Sequence, residues 1–338
     1  MKSRLRVLVV GAGSIGERHA RCFGATSRAD VSLCEVDGDR LRAVAERCNV
    51  AHSYTSYADA LAAEPAAVVI ATPAHLHIPM ARQAVSQGCH VLIEKPLSIS
   101  LAGVTEFQNL VAERGVQIGV GYVTRHHPAL MAMRSAMRSG RFGEPLQVVA
   151  VTGQHFPFYR PAYRDTYYTR HETGGGAVQD ALTHLINAAE WLVGPVDRLV
   201  ADAAHLALPG VEVEDTVNVL TRHGNVLGCF SLNQHQTPNE LTITVICQRS
   251  TLRFESHHNR WQWLAEPGGI WQIEAIEPLE RDKLFISQAN HFLDVAEGVG
   301  VPACSLAEAL QTLRVNLATL DSLREHSWKG ISLEDPVA

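Results

Sequence analysis

Three side chains are of the types that move protons beside a carbon–oxygen bond. Lys95 closes the run Gly88-Cys89-His90-Val91-Leu92-Ile93-Glu94-Lys95-Pro96, and Asp180 and His184 lie four residues apart behind Gly174-Gly175-Gly176. A four-residue step on a helix puts two side chains on one face. An imidazole titrates near neutrality, where a general acid or base works best. Each residue also has an ordinary structural reading. A helical Asp-x-x-x-His is commonly a solvated or internally satisfied pair, and a lysine before a proline is commonly a surface cation. Their company decides between the two.

The first companion is Gly11-Ala12-Gly13-Ser14-Ile15-Gly16, which directly follows the apolar run Leu5–Val10 and opens a helical pattern. In a strand–turn–helix context the first glycine permits the tight turn, the second lets the backbone approach a pyrophosphate, and the third allows close helix–strand packing. The N–H groups of Ser14, Ile15 and Gly16 then head a helix whose dipole favours phosphate. Glu35, 19 residues beyond Gly16, ends the next apolar run. A carboxylate there accepts from ribose hydroxyls and repels a 2′-phosphate. Val36 rather than an arginine follows it, so the spacing predicts NAD over NADP.

These residues need elements to hold them. Strands are expected at Leu5–Val10, Val31–Glu35, Ala67–Ala71, His90–Ile93 and Val116–Val120, with helices near 14–24, 38–48, 56–63, 75–87 and 100–114. Near-continuous Val/Ile/Leu runs are what strands buried on both faces look like, so this part is a doubly wound parallel sheet. After Gly121 the rhythm changes. A helix near 127–139 and a strand at 145–153 precede a Tyr/Arg-rich loop, and a long helix follows the three glycines. Alternating strands then run from 196 to 277, including 214–222 and 225–233, and helices at about 281–298 and 305–325 close the chain. That order predicts an α+β second domain with a large, mostly antiparallel sheet. The expected division is 1–121 for dinucleotide binding and 122–338 for substrate binding, catalysis and assembly.

Three stretches resemble the glucose–fructose oxidoreductase / inositol dehydrogenase / MocA (Gfo/Idh/MocA) family. Ala71-Thr72-Pro73-Ala74-His75-Leu76-His77 is similar to its TPNxxH-like turn, Gly88 to Pro96 to its GxHVxxEKP signature, and Gly174 to His184 to GGGxxxDxGxH. Ala74, Leu182 and Asn187 depart from the residues common there. The resemblance implies an NAD(P)-dependent oxidoreductase acting on CH–OH groups of a sugar, sugar acid or cyclitol. It implies that the Asp180/His184 face meets Lys95 across the nicotinamide. His184 is then the candidate base, Lys95 holds the substrate oxygen, and Asp180 orients a hydroxyl or the lysine. Thr72, Pro73, His77, Glu94 and Lys95 join the cofactor set. Other functions on this fold are a glycosidase that keeps NAD and oxidises transiently, and a dinucleotide-sensing regulator; the intact Lys95, Asp180 and His184 argue against the regulator.

Arg125, Arg164 and Tyr168 are the substrate candidates, the last two within the loop from Phe156 to Arg170, whose aromatic and guanidinium groups suit polyhydroxylated ligands. The histidine clusters His75/His77, His126/His127 and His257/His258 lack an acid or cysteine in recognisable ligand spacing, so no metal is assigned.

The 338 residues are 46% hydrophobic and 19% charged with formal charge −6, which argues against a nucleic-acid partner. No run approaches a membrane span, and the first apolar run is too short for a signal sequence. Seven cysteines without a CxxC spacing fit a reducing compartment, so a cytoplasmic protein is expected. A large sheet with few helices to cover both faces predicts a homodimer or homotetramer.

Overall fold

The computed structural model describes residues 4–332. They fall into two compact units, one made of residues 4–126 and 280–309, the other of residues 127–279 and 310–332.

In the first unit β1 (Leu5–Val10), β2 (Ala29–Cys34), β3 (His52–Tyr54), β4 (Ala67–Ile70), β5 (His90–Ile93) and β6 (Ile118–Val120) form one sheet in the order β3-β2-β1-β4-β5-β6. All five pairings are parallel. The apolar runs are what make this possible: Val7, Leu8, Val9, Val68, Val69, Ile70 and Val91 expose no surface at all, as strands covered on both faces require. Strand β3, absent from the sequence expectation, is three residues long with His52 and Ser53 exposed. Edge strands of that kind carry no hydrophobic signature.

Helices Ser14–Ala25, Gly38–Cys48, His77–Ser86 and Val104–Arg114 lie in the crossovers. A late segment returns to this unit: helix Lys283–Ala296 packs on Ser14–Ala25, with Phe23 and Phe292 edge to face at 6.4 Å. Arg21 adds an ion pair to Asp282 at 2.6 Å.

The second unit is built on a nine-stranded sheet. Its strands are β7 (Pro145–Gly153), β8 (Arg198–Ala204), β9 (Thr216–His223), β10 (Val226–Asn233), β11 (Glu240–Cys247), β12 (Ser250–Glu255), β13 (Arg260–Leu264), β14 (Gln272–Ala275) and β15 (Lys329–Gly330), in the order β14-β13-β12-β11-β7-β10-β9-β8-β15. Only β7 and β10 pair in parallel. Period-two alternation gives it one buried face, with Val148, Ala150, Val217, Val219, Phe230, Ile243, Val245 and Phe254 at most 1% exposed. Helices Pro128–Arg138 and Thr183–Val193 fill that face through Leu130, Met133, Leu185 and Ile186. On β9 and β10 the alternate residues Leu220 and Leu227 are 51% and 44% exposed.

Candidate active site

The first unit gathers its chemistry-bearing residues at the carboxyl edge of the sheet, where ligands bind in open α/β folds. Gly11 follows β1, Glu35 follows β2, Thr72 follows β4, and Glu94 and Lys95 follow β5. The helix from Ser14 starts against this edge, and its first main-chain bond is Glu17 N to Gly13 O at 2.9 Å. The N–H groups of Ser14, Ile15 and Gly16 therefore precede any intrahelical partner. A Cβ on Gly16 would sit 1.7 Å from Gly11 O, whereas one on Gly13 would meet nothing within 4 Å. The loop is thus closed on its protein side and open at Gly13, the cradle a pyrophosphate needs.

Glu35 is 8% exposed, and its two oxygens accept from Ala12 N at 2.8 Å and Asp37 N at 3.1 Å. It thereby fastens the glycine turn while standing at the sheet edge; Arg40 Nη1 lies 3.7 Å from Oε2. Val36 beside it is 85% exposed. Thr72 is half-buried and Pro73 exposed.

His77 and Glu94, both placed in the cofactor set, are buried and brace the turns that carry Thr72 and Lys95. His77 sets Nδ1 2.9 Å from Pro96 O and Nε2 2.8 Å from Thr72 O, tying together the turns after β4 and β5. Burial pushes its pKa down against the pull of those carbonyls. The Glu94 carboxylate receives His19 Nε2 at 2.6 Å and Lys95 N at 3.1 Å. Lys95 itself is half-buried, and the Lys95–Pro96 peptide is cis.

In the second unit, the helix after the three glycines begins with a π-helical turn, Val178–Leu182, before the α-helix Thr183–Val193. Asp180 sits in the π turn and His184 in the first turn of the α-helix. The four-residue step therefore crosses a widened turn, a distortion that recurs at functional sites. Glu214 starts this helix: its Oε1 accepts from Val178 N at 2.9 Å, and its Oε2 meets His171 Nε2 at 2.5 Å. Gly176, at φ +85°, has no room for a Cβ, which would come 2.6 Å from that carboxylate. Farther along, Asn187 donates to Thr312 at 3.0 Å, and Asn316 donates to Thr183 at 2.9 Å. These buried polar contacts fix the rotation of the helix that carries His184. Asn187, where an acid is common, is thereby given a partner.

Asp180 is 2% exposed. Its Oδ1 accepts from Tyr167 OH at 2.6 Å, and its Oδ2 from Arg160 Nη1 at 3.1 Å. The sequence marks Tyr167 among the residues of the Tyr/Arg-rich loop but makes Tyr168 the substrate candidate, and Arg160 carries no signal of its own. The structure turns Tyr168 inward, 3% exposed, among Phe156, Tyr163, Leu208, Val211 and Val213. Its hydroxyl donates to Gln234, and burial raises its pKa. Consecutive residues of a short 3₁₀ turn diverge, so of the two tyrosines only Tyr167 reaches Asp180.

Two further candidates have internal partners. Arg125 is 3% exposed, and its Nη1 donates to Ala303 O at 2.8 Å and Glu308 Oε1 at 2.6 Å, an internal lock of the first unit. Arg164 is exposed but clasps Pro209 O through Nε at 2.8 Å while lying over the Tyr163 ring. One histidine pair acquires an acid that spacing did not reveal: Glu255, His257 and His258 hold donor atoms within 4.8 Å of one another. Glu255 Oε2 already accepts from Arg260 Nε at 2.6 Å and Gln262 Nε2 at 3.0 Å. The guanidinium thus supplies the positive charge at that carboxylate.

Residues 5–122 match the model of an oxidoreductase family described as having an NAD-binding Rossmann fold, and residues 130–253 match the GFO/IDH/MocA C-terminal domain. The chain belongs to the Gfo/Idh/MocA oxidoreductase family. It is an NAD-binding oxidoreductase, and the glycine cradle and Glu35 fit that cofactor. A D-apiose dehydrogenase of Paraburkholderia graminis is 26% identical over 95% of this chain and 88% of its own length. An inositol 2-dehydrogenase of Corynebacterium glutamicum is 32% identical over 57% of this chain and 56% of its own. Among solved structures, levoglucosan dehydrogenase in complex with NADH and levoglucosan aligns with TM-score 0.89 at 20% identity, covering 97% of this chain and all of that one. That likeness shows the family's two-domain fold. No helix among the described residues is long and apolar enough to cross a membrane.

Proposed function

We propose that the chain interconverts a secondary alcohol and a ketone on a sugar, sugar acid or cyclitol by NAD-dependent hydride transfer. The observation that carries this reading is the family match across both units; Lys95, Asp180 and His184 lie in the stretches whose sequence resembles the family's motifs. The names of the relatives, an apiose and an inositol dehydrogenase, point to the same substrate class.

Bound NAD supplies the hydride acceptor. The rest of the chemistry belongs to the protein. A neutral His184 ring nitrogen takes the hydroxyl proton as the carbon loses hydride. The Lys95 ammonium donates to the same oxygen and stabilises the charge that develops there. Asp180, held by Tyr167 and Arg160, keeps a fixed negative charge on the helix that carries His184. A panel of carbohydrates and cyclitols offered with NAD, followed at the absorbance of reduced nicotinamide, tests the reading. Product formation without net NAD reduction would instead indicate a glycosidase that oxidises transiently.

NAD should bind more tightly than NADP by roughly tenfold or more, since placing like charges together costs several kcal/mol. Glu35→Ser with Val36→Arg should reverse the order, because Arg40, 3.7 Å from Glu35 Oε2, is then released toward a phosphate. Titrating both cofactors into the apo protein checks this; equal affinities in the unaltered chain would refute the role of Glu35.

Assembly is proposed through the face of the large sheet that bears Leu220 and Leu227. The chain should run as a homodimer or homotetramer in light scattering, and Leu220→Glu should lower its mass without changing NADH binding. A single-chain mass for the unaltered protein at micromolar concentration would end this reading.

A further inference from the structure

His19 lies on the helix that starts at the glycine loop, one turn beyond Gly16, and is 1% exposed. Its ring is wedged between Phe23 and Phe285, with centroids 6.3 and 5.6 Å away. An apolar residue would suit such a pocket better. The histidine instead places Nε2 2.6 Å from Glu94 Oε1, while its Nδ1 has no hydrogen-bond partner among the described residues. A buried polar group left half satisfied costs stability, so this ring serves the one bond it makes.

That bond ends on a carboxylate with two further neighbours. Glu94 Oε2 accepts from the main-chain N–H of Lys95 at 3.1 Å. A Cβ on Gly121 would come 2.9 Å from Glu94 Oε1, so the chain leaving β6 is a glycine where it passes the same group. Burial raises the pKa of Glu94, but the His19 hydrogen bond and the charges of His19 and Lys95 outweigh it, and the net displacement is downward. The carboxylate is therefore an ionised hub joining the phosphate-loop helix, the turn that carries Lys95 and the end of β6.

We propose that His19 and Glu94 are positioning residues for Lys95: the imidazole on the phosphate-loop helix holds the carboxylate that holds the lysine's main chain. The value of this arrangement rests on the reading of Lys95 as the group that meets the substrate oxygen. Cofactor loop and lysine are then fixed to one another, as hydride transfer demands of groups that must be placed to a fraction of an ångström.

The test compares His19→Ala, His19→Gln and Glu94→Gln with the unaltered protein. A glutamine amide N–H can stand in for Nε2, so His19→Gln retains the bond that His19→Ala loses. Three readouts are taken: affinity for ADP-ribose, which fills the phosphate loop without a nicotinamide; turnover of whichever sugar or cyclitol is oxidised; and the rate at which Lys95 is acetylated, read by mass spectrometry. In His19→Ala, turnover should fall about tenfold or more with KM for NAD and ADP-ribose affinity little changed. Lys95 acetylation should shift several-fold, and His19→Gln should recover both. Should His19→Ala fail to fold, Glu94→Gln carries the same comparison, since its amide cannot accept as the carboxylate does. The proposal is overturned by Lys95 acetylation that is the same in every variant. It is equally overturned by losses in ADP-ribose affinity and turnover that run in parallel and are not recovered by glutamine. Turnover that survives Lys95→Ala would remove the catalytic reading of the lysine alone, while the acetylation comparison would still decide whether His19 sets its pose.

Discussion

Replacing His184 with alanine is expected to lower turnover roughly a hundredfold or more, the usual scale for a lost general acid–base group. NADH affinity should stay near its original value, because phosphate binding belongs to the first unit's loop from Gly11 to Gly16. Lys95→Ala should cause a loss of similar size with some weakening of nicotinamide placement. The pH profile separates the two. Oxidation requires a neutral imidazole, so the rate falls on the acid side as the base becomes protonated; that limb should disappear with His184→Ala and persist with Lys95→Ala. The control is Asp180→Asn, which keeps the shape of a side chain bonded to Tyr167 OH at 2.6 Å and Arg160 Nη1 at 3.1 Å. It leaves the guanidinium without its counter-charge, so its cost reports on the charge rather than on the contact. Near-full turnover in His184→Ala would move the proton acceptor elsewhere. Tyr167 is then the better candidate, since its hydroxyl is already bonded to a carboxylate and it is 40% exposed, whereas Tyr168 is sealed in an aromatic cluster.

Much of this arrangement was legible in the sequence because it depends on local rules. The six-residue run at Leu5–Val10, the turn at Gly11–Gly16 and the acid at Glu35 are read from periodicity and spacing, and all three lie where expected. The helix Lys283–Ala296 was legible as a helix, but nothing in its pattern told that it packs on Ser14–Ala25. That depends on Phe23 meeting Phe292 across more than 250 residues of chain. The π-helical turn at Val178–Leu182 was hidden for a related reason. An extra residue in a turn is stabilised by what surrounds it, here Glu214 on Val178 N, Arg160 and Tyr167 on Asp180. That Tyr167 rather than Tyr168 meets Asp180 was not legible, because composition marks a loop as aromatic but not which ring of two neighbours turns inward. His19 left a signal that could have been used: a polar residue on the buried face of the first helix, one turn past the last glycine of the fingerprint.

Acid should destabilise the folded chain well before its carboxylates protonate, and two adjacent histidines should account for much of the effect. His126 is 6% exposed and His127 2% exposed. Burial, with help from His291 and Arg125, pushes His126 down to about 4. Burial alone does the same to His127, whose ring stands on Phe254 at 4.8 Å. An unfolded histidine titrates near 6.5, so between about pH 6.5 and 4 the unfolded chain binds the extra protons and stability rises with pH. The contribution is whole above that range and is lost as pH falls through it, at roughly 3 kcal/mol for each ring. The two rings belong to different units, so each unit should feel one of them. His171 acts in the opposite sense: its hydrogen bond to Glu214 raises its pKa despite burial, so its contribution is present below about 6.5 and fades at higher pH. Burial also depresses His77, His90 and His223, which adds to the acid slope without changing its sign. The measurement is urea unfolding at several values between pH 7 and 4.5 for the unaltered protein and for His126→Gln/His127→Phe. The double variant should be markedly less sensitive to pH across this window, by close to one proton per unit at the steepest. Equal slopes in both proteins would mean that these rings take up protons without unfolding, through water or movement at the start of helix Pro128–Arg138, and the assignment of acid lability to them would fail.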